Sequence, residues 1–339
     1  MAIPLVIDTD TAQDDCVALL VGLLDPAADL RAITMVAGNV GFDRQVRNAW
    51  MTLSVAGRLG EVPVHLGCRR PLMRAWVSAE DVHGDGTGGL TMDDTGCEPE
   101  SEHGVDALIR LAEEHAGELT VVAIGPLTNI AAAVSKDPGF VDKVKTLVVM
   151  GGSNNGRGNI TAAAEFNFYV DPEAARIVCE AGFKDLVVVP WAPLTVRDAT
   201  FGRDRLARLA SLDTPLSHFF SRIIDATLAF DEAVGIPGST HPDSLSAAIV
   251  LHPELVTRFA PYHVTVETSS EAMRGYSAMS WLGPQAAAQV AEGSPVSEVR
   301  TVHQLVPNAT VIEEVDADAF FSYVEALLGR GTSPSRPVA

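Results

Sequence analysis

Short apolar, β-branched runs recur along the first part of the chain, at residues 4–7, 30–36, 62–65, 119–124, 146–150 and 186–189. Helical patterns separate them, at 14–24, 43–59, 103–116, 127–134 and 172–181. Apolar runs bounded by helices are the pattern of parallel strands covered on both faces. The alternation therefore predicts an α/β fold, Rossmann-like, with a mainly parallel sheet and right-handed crossovers. The later sequence is more helical, over 203–212, 214–233 and 244–251, with a last helix over 317–328. Between them, 263–267 and 276–281 read as a hairpin around Arg274-Gly275. No Pro-, Gly- or Ser-rich linker divides the chain, so residues 1–328 are expected to form a single domain. Residues 329–339, GRGTSPSRPVA, read as a disordered tail.

In open α/β sheets ligands bind at the carboxyl ends of the strands. The residues following each apolar run are polar or turn-forming: Asp8-Thr9-Asp10, Gly38-Asn39, Gly125-Pro126 and Gly151-Gly152-Ser153-Asn154-Asn155.

Composition narrows the ligand. The 339 residues carry 24 Lys and Arg against 44 Asp and Glu, a formal charge of −20. Such a surface repels phosphate backbones, which argues against nucleic acid or an anionic membrane as partner. A neutral small molecule or a cation fits better. No apolar run approaches the roughly 18 residues of a membrane helix. The four cysteines lie far apart, without zinc spacing or a disulfide framework, and the N-terminus has no basic leader. A reducing, cytoplasmic setting is expected.

Four aspartates, Asp8, Asp10, Asp14 and Asp15, fall within eight residues after the first strand. Carboxylates this close raise one another's pKa unless a cation lies among them. Oxygen ligands without Cys or His favour a hard ion, Ca²⁺ or Mg²⁺. The competing reading is that Asp14 and Asp15 serve only the helix N-terminus. A second cluster runs from Asn159 to Asn167 and contains Glu165, ahead of Asp171-Pro172. Turn and cap chemistry accounts for Asp171 and less well for Glu165. His83 lies in a Gly-rich loop, and Asp243 in Ser239-Thr240-His241-Pro242-Asp243-Ser244 is a plausible helix cap.

These residues together resemble the nucleoside hydrolases of the inosine-uridine type. The family's strand followed by D-x-D-P-G-x-D-D reads here as Asp8-Thr9-Asp10-Thr11-Ala12-Gln13-Asp14-Asp15. Gly38-Asn39, His83-Gly84, Ile124-Gly125-Pro126-Leu127-Thr128-Asn129, Met150-Gly151-Gly152, Asn159 to Asn167 and His241-Pro242-Asp243 follow in the family's order. The resemblance spans roughly residues 3–328. It implies Ca²⁺-dependent hydrolysis of the N-glycosidic bond of ribonucleosides through an oxocarbenium-like transition state. By the same resemblance Asp10, Asp15, Asp243 and the Ile124 carbonyl hold the ion, which also takes the ribose diol and the attacking water. Asp10 is the general base. Asp14, Asn39, His83, Met150, Asn159, Glu165 and Asn167 are substrate-binding, and the chain forms a homodimer or homotetramer.

Two positions depart from the family pattern. Thr11-Ala12 replaces Pro-Gly, so Ala12 must hold the loop with ordinary backbone angles. Pro242 stands directly before Asp243, where well-studied members have the His that protonates the leaving base, and His241 is one residue back. His241 is thus a candidate catalytic acid, with His83 and the rings of Trp76, Phe166 and Phe168 as other means of activating the base. Two alternatives stand beside this reading. A non-catalytic nucleoside- or sugar-binding relative would keep the site and lose turnover. A haloacid dehalogenase type phosphatase would share the D-x-D-x-[TV] signature, which Ala12 breaks.

Overall fold

The computed structural model describes residues 2–84, 86–90, 96–155, 157–281 and 306–331. The strands are β1 (Ile3–Thr9), β2 (Ala28–Met35), β3 (Val64–Leu66), β4 (Thr120–Ala123), β5 (Thr146–Met150), β6 (Leu186–Val189), β7 (Thr200–Phe201), β8 (Ser239–Thr240), β9 (Val256–Val266), β10 (Ser277–Ser280) and β11 (Ala309–Val315). The helices of the first half are α1 (Gln13–Leu24), α2 (Phe42–Val55), α3 (Glu80–His83), α4 (Gly104–Glu114), α5 (Thr128–Lys136), α6 (Phe140–Lys143), α7 (Phe166–Val170) and α8 (Pro172–Glu180). Those of the second half are α9 (Val196–Asp198), α10 (Arg203–Ala210), α11 (Pro215–Ile223), α12 (Asp225–Ala233), α13 (Pro242–Leu251) and α14 (Ala317–Leu328).

Nine strands form one mixed sheet in the order β10-β9-β11-β6-β5-β4-β1-β2-β3, and β7 pairs with β8 apart from it. From β3 across to β11 the neighbours are parallel, and β9 is antiparallel to both β11 and β10. The parallel strands read as apolar runs because helices cover both faces. Leu5 and Ile7 of β1 face one core with α1, α2 and α13, while Val6 faces the other with α4 and α5. The strand order reverses beside β1, between β2 and β4, which is where an α/β sheet opens a crevice for a ligand.

The α/β class and the six early strands agree with the sequence pattern. Three features differ from expectation. The helix expected over 214–233 is two, α11 and α12, separated at Ile224. β11 was not expected; it lies between β6 and β9, so the late hairpin joins the main sheet. Its Ile312-Glu313-Glu314 stretch interrupts strand alternation, and register shifts occur there. Asp243 is not the cap of α13: His241 is, with Pro242 as the first helical residue. The tail expected over 329–339 lies mostly outside the described residues.

Candidate active site

The carboxyl ends of β1, β2, β4 and β5 floor a cavity of about 870 Å³. Asp14, Asn39, His83, Ile124, Met150, Asn159, Glu165, Asn167 and Asp243 all line it.

The loop leaving β1 is held from several sides. Gln45 Nε2 donates to the Asp10 carbonyl at 2.8 Å and Asn48 Nδ2 to the Thr11 carbonyl at 3.0 Å. Ala12 takes φ −119° and ψ −144°, a negative φ outside the left-handed region, so the loop forms without the family's glycine. Asp15 closes the first turn of α1: its carboxylate accepts from Ala12 N at 2.9 Å, Thr9 Oγ1 at 2.6 Å and Asn39 Nδ2 at 3.1 Å. The helix-terminus reading is therefore correct for Asp15, and it does not exclude a ligand role.

Asp10 is wholly buried. Its Oδ2 accepts from Asn39 N at 2.8 Å, and its Oδ1 has no hydrogen-bond partner. Glycines make the room: a Cβ on Gly38 would lie 1.9 Å from Asp10 Oδ2, and one on Gly125 2.8 Å from Oδ1. Asp14 Oδ1 is likewise buried and unpartnered. Oxygens of Asp14, Asp15 and Asp243 lie within 4.8 Å of one another. Burial and the neighbouring carboxylates push Asp14 up to about 7 and hold Asp10 and Asp243 well above the usual range. Mutually repelling carboxylates with bare buried oxygens are the condition a hard cation relieves, so this donor set fits a metal ion. Asp8 also keeps one bare buried oxygen, Oδ2, while its Oδ1 accepts from Thr34 Oγ1 and from Asn129 Nδ2, which ties β1 to β2 and α5.

The opposite bank comes from the loop after β5. Glu165 caps α7, accepting from Asn167 N at 2.8 Å, Phe168 N at 3.2 Å and Gly152 N at 2.8 Å. Cap chemistry thus accounts for Glu165 as well as for Asp171, contrary to the expectation from sequence. Burial pushes Glu165 up to about 7. Asn167 Nδ2 donates to the carbonyls of Ile124 at 3.0 Å and Met150 at 3.2 Å, bridging the ends of β4 and β5. Asn159 Oδ1 accepts from Phe166 N at 2.8 Å.

His241, a candidate acid from the sequence, is set apart from the cavity in the structure. It lines no part of the cavity, which Thr240, Pro242 and Asp243 do. Its ring lies 4.6 Å from that of Phe201 and 5.3 Å from that of Phe220. Both ring nitrogens lack partners, and burial pushes the pKa down to about 3. A neutral imidazole packed between phenyl rings does not reach a leaving base. Pro242, the first residue of α13, lines the cavity beside it. Among the other base-activating candidates, Phe166 lines the cavity, whereas Phe168 is wholly buried in the core and Trp76 donates from Nε1 to the Gly38 carbonyl. His83 ends α3 on the cavity wall, with Nδ1 against Gln13 Oε1. Sequence reading assigned no role to Gln13, Thr227 and Asp231, which also line or support this wall; Gln13 sits at a variable position of the aspartate motif, and the other two lie inside a helical pattern.

A mainly parallel sheet with a carboxylate-floored cavity at its switch point defines an α/β protein with an acidic candidate metal centre. The particular family follows from comparison with known proteins: the chain belongs to the inosine-uridine preferring nucleoside hydrolase family, whose model matches residues 5–322. It is 33% identical over 323 residues to the pyrimidine-specific ribonucleoside hydrolase RihA of Escherichia coli O9:H4, covering 94% of this chain and 96% of that one. Among solved structures it resembles the plant nucleoside hydrolase PpNRh1, with a TM-score of 0.83, 29% identity and coverage of 97% and 99%. It also resembles the purine-preferring ribonucleoside hydrolase from Gardnerella vaginalis, with a TM-score of 0.82, 26% identity and coverage of 96% and 98%. The chain is a ribonucleoside hydrolase. Among the described residues no helix is long and apolar enough to cross a membrane.

Proposed function

We propose that this cavity hydrolyses the C1′–N bond of ribonucleosides around a resident Ca²⁺. The observation that carries this is the set of buried oxygens of Asp14, Asp15 and Asp243 within 4.8 Å of one another, beside the bare Asp10 Oδ1. Asp10, Asp15, Asp243 and the Ile124 carbonyl would hold the ion, with Asp14 beside them. When bound, the ion supplies positive charge that orients the ribose diol and acidifies the attacking water.

The remaining steps belong to the chain. Asp10, held through Oδ2 by Asn39 N, would take the proton as water attacks C1′. The C1′–N bond breaks with its electron pair going to the base, and positive charge develops on the ribosyl group. Asp14 and, fixed by backbone hydrogen bonds, Glu165, Asn159 and Asn167 would surround that charge. The departing base receives no proton from His241 or Pro242.

A panel of ribonucleosides assayed for free ribose, with and without chelator, tests the reading. Release of ribose that stops on chelation and returns with Ca²⁺ is expected. A 2′-deoxyribonucleoside cleaved as fast as its ribo form, or turnover indifferent to chelators, would overturn it.

A further inference from the structure

The named relatives split between pyrimidine-specific and purine-preferring enzymes, so the base that this cavity favours rests on its own wall. That wall is built by α12 and α3, which pack against each other. Three of its polar side chains have a fixed sense. Asp231 is 5% exposed, and its Oδ2 accepts from Thr240 N at 2.9 Å. Thr227 lies one helical turn earlier, and its hydroxyl proton is spent on the Ile224 carbonyl at 3.0 Å. It therefore shows the cavity only lone pairs. His83 is set by Gln13. Gln13 Nε2 donates to the His83 carbonyl at 2.7 Å, so its Oε1 faces the imidazole and His83 Nδ1 must carry the proton. A flipped amide would set Oε1 against the His83 carbonyl, acceptor against acceptor. Burial lowers the His83 pKa to about 4, which keeps the ring neutral and leaves Nε2 an acceptor. Burial raises Asp231 to about 6, still below neutral pH, where it is an ionised acceptor. The rest of the α12 side, Phe230, Val234, Ile236 and Pro237, is apolar. Donors such as Asn154 and Arg157 belong to the loop after β5.

Resting on the ribonucleoside hydrolase reading of this site, we infer that Asp231, with Thr227 and His83, forms an acceptor-only wall that selects nucleobases presenting an exocyclic amino group, cytidine over uridine and adenosine over inosine. An amino group gives such a wall the hydrogens it needs. A carbonyl oxygen at the same place sets acceptor against acceptor beside a buried carboxylate, which is the costly kind of mismatch.

The test compares kcat/KM for cytidine with uridine, and for adenosine with inosine, in the wild type and in Asp231→Asn. Asparagine keeps an oxygen for Thr240 N and turns an NH₂ to the cavity, so a role confined to tying α12 to β8 would leave the ratios unmoved. The wild type is expected to favour the amino base of each pair by about tenfold or more. Asp231→Asn is expected to shift both ratios by about tenfold toward uridine and inosine. A wild type that cleaves uridine and inosine as well as their amino counterparts overturns the inference even if the variant does not fold. Ratios unchanged in a folded Asp231→Asn overturn it too. Absence of cleavage of every riboside, p-nitrophenyl riboside included, would instead remove the hydrolase reading on which the inference rests.

Discussion

The imidazole of His241 stacks on the ring of Phe220, with centroids 5.3 Å apart and planes at 27°, although it directly precedes two residues of the cavity wall. A position that the sequence offers to chemistry is thereby part of the core, with two polar nitrogens lacking partners.

His241→Phe is therefore expected to raise the melting temperature. It removes unpaired buried polar atoms, each costing about 1–3 kcal/mol, while keeping an aromatic ring against Phe201 and Phe220. Calorimetry beside kcat/KM on natural nucleosides checks this. A loss of about 100-fold or more in turnover, the scale of general acid catalysis, would return His241 to the mechanism.

Gly38 is predicted to be irreplaceable. Its Cβ would fall on Asp10 Oδ2, displacing the carboxylate and breaking its bond to Asn39 N. Gly38→Ala should lower kcat by about 100-fold, the scale of losing a positioned base. Gly41→Ala, where a Cβ meets nothing within 4 Å, is the control and should stay near wild type. Comparable activity in both variants would contradict the placement of Asp10.

Metal removal should be visible without any substrate. The repelling carboxylates of Asp14, Asp15 and Asp243 predict that added Ca²⁺ stabilises chelator-treated protein, by about 2.7 kcal/mol at a hundredfold excess over Kd. Asp15→Asn should abolish that dependence. Unfolding that ignores Ca²⁺ in the wild type would argue against an ion at this floor.

Glu165→Ala removes the cap of α7 and three backbone hydrogen bonds. A loss of about 1–2 kcal/mol in stability is expected. It should come with at least about a tenfold drop in kcat/KM, because Asn167 loses its anchor. Lower stability with unchanged kinetics would assign Glu165 to structure alone.

A pH effect is expected far from the cavity. His252 at the end of α13 is 2.8 Å from Asp25, which also accepts from Tyr323 of α14. Burial opposes the charge on His252, but hydrogen bonds to Asp25 and Glu254 outweigh it and raise the pKa above the ordinary 6.5. The pair contributes stability that is complete below 6.5 and is lost as pH rises through the folded-state pKa. Urea unfolding between roughly pH 6 and 9 should show that decline, and Asp25→Asn should flatten it. Equal slopes in the two proteins would count against it.

The sequence alone determined the sheet's early strands, because apolar runs separated by amphipathic helices have few other ways to bury both faces. It also placed the candidate chemistry at the strand ends, since four aspartates after β1 offer oxygen donors for a cation once the fold buries them together. What it left open were elements whose pattern is set by distant partners. β11 becomes a strand because β6 and β9 leave a place between them, and the break at Ile224 separates two helices that read as one. The same limit governs side-chain direction. Whether His241 faces the cavity or the core depends on Pro242, Phe201 and Phe220 packing together. The hydrogen-bonding sense of His83 depends on Gln13, 70 residues earlier. Local spacing specifies which groups are available, and tertiary packing decides which of them point at the substrate and which bury their polar atoms unused.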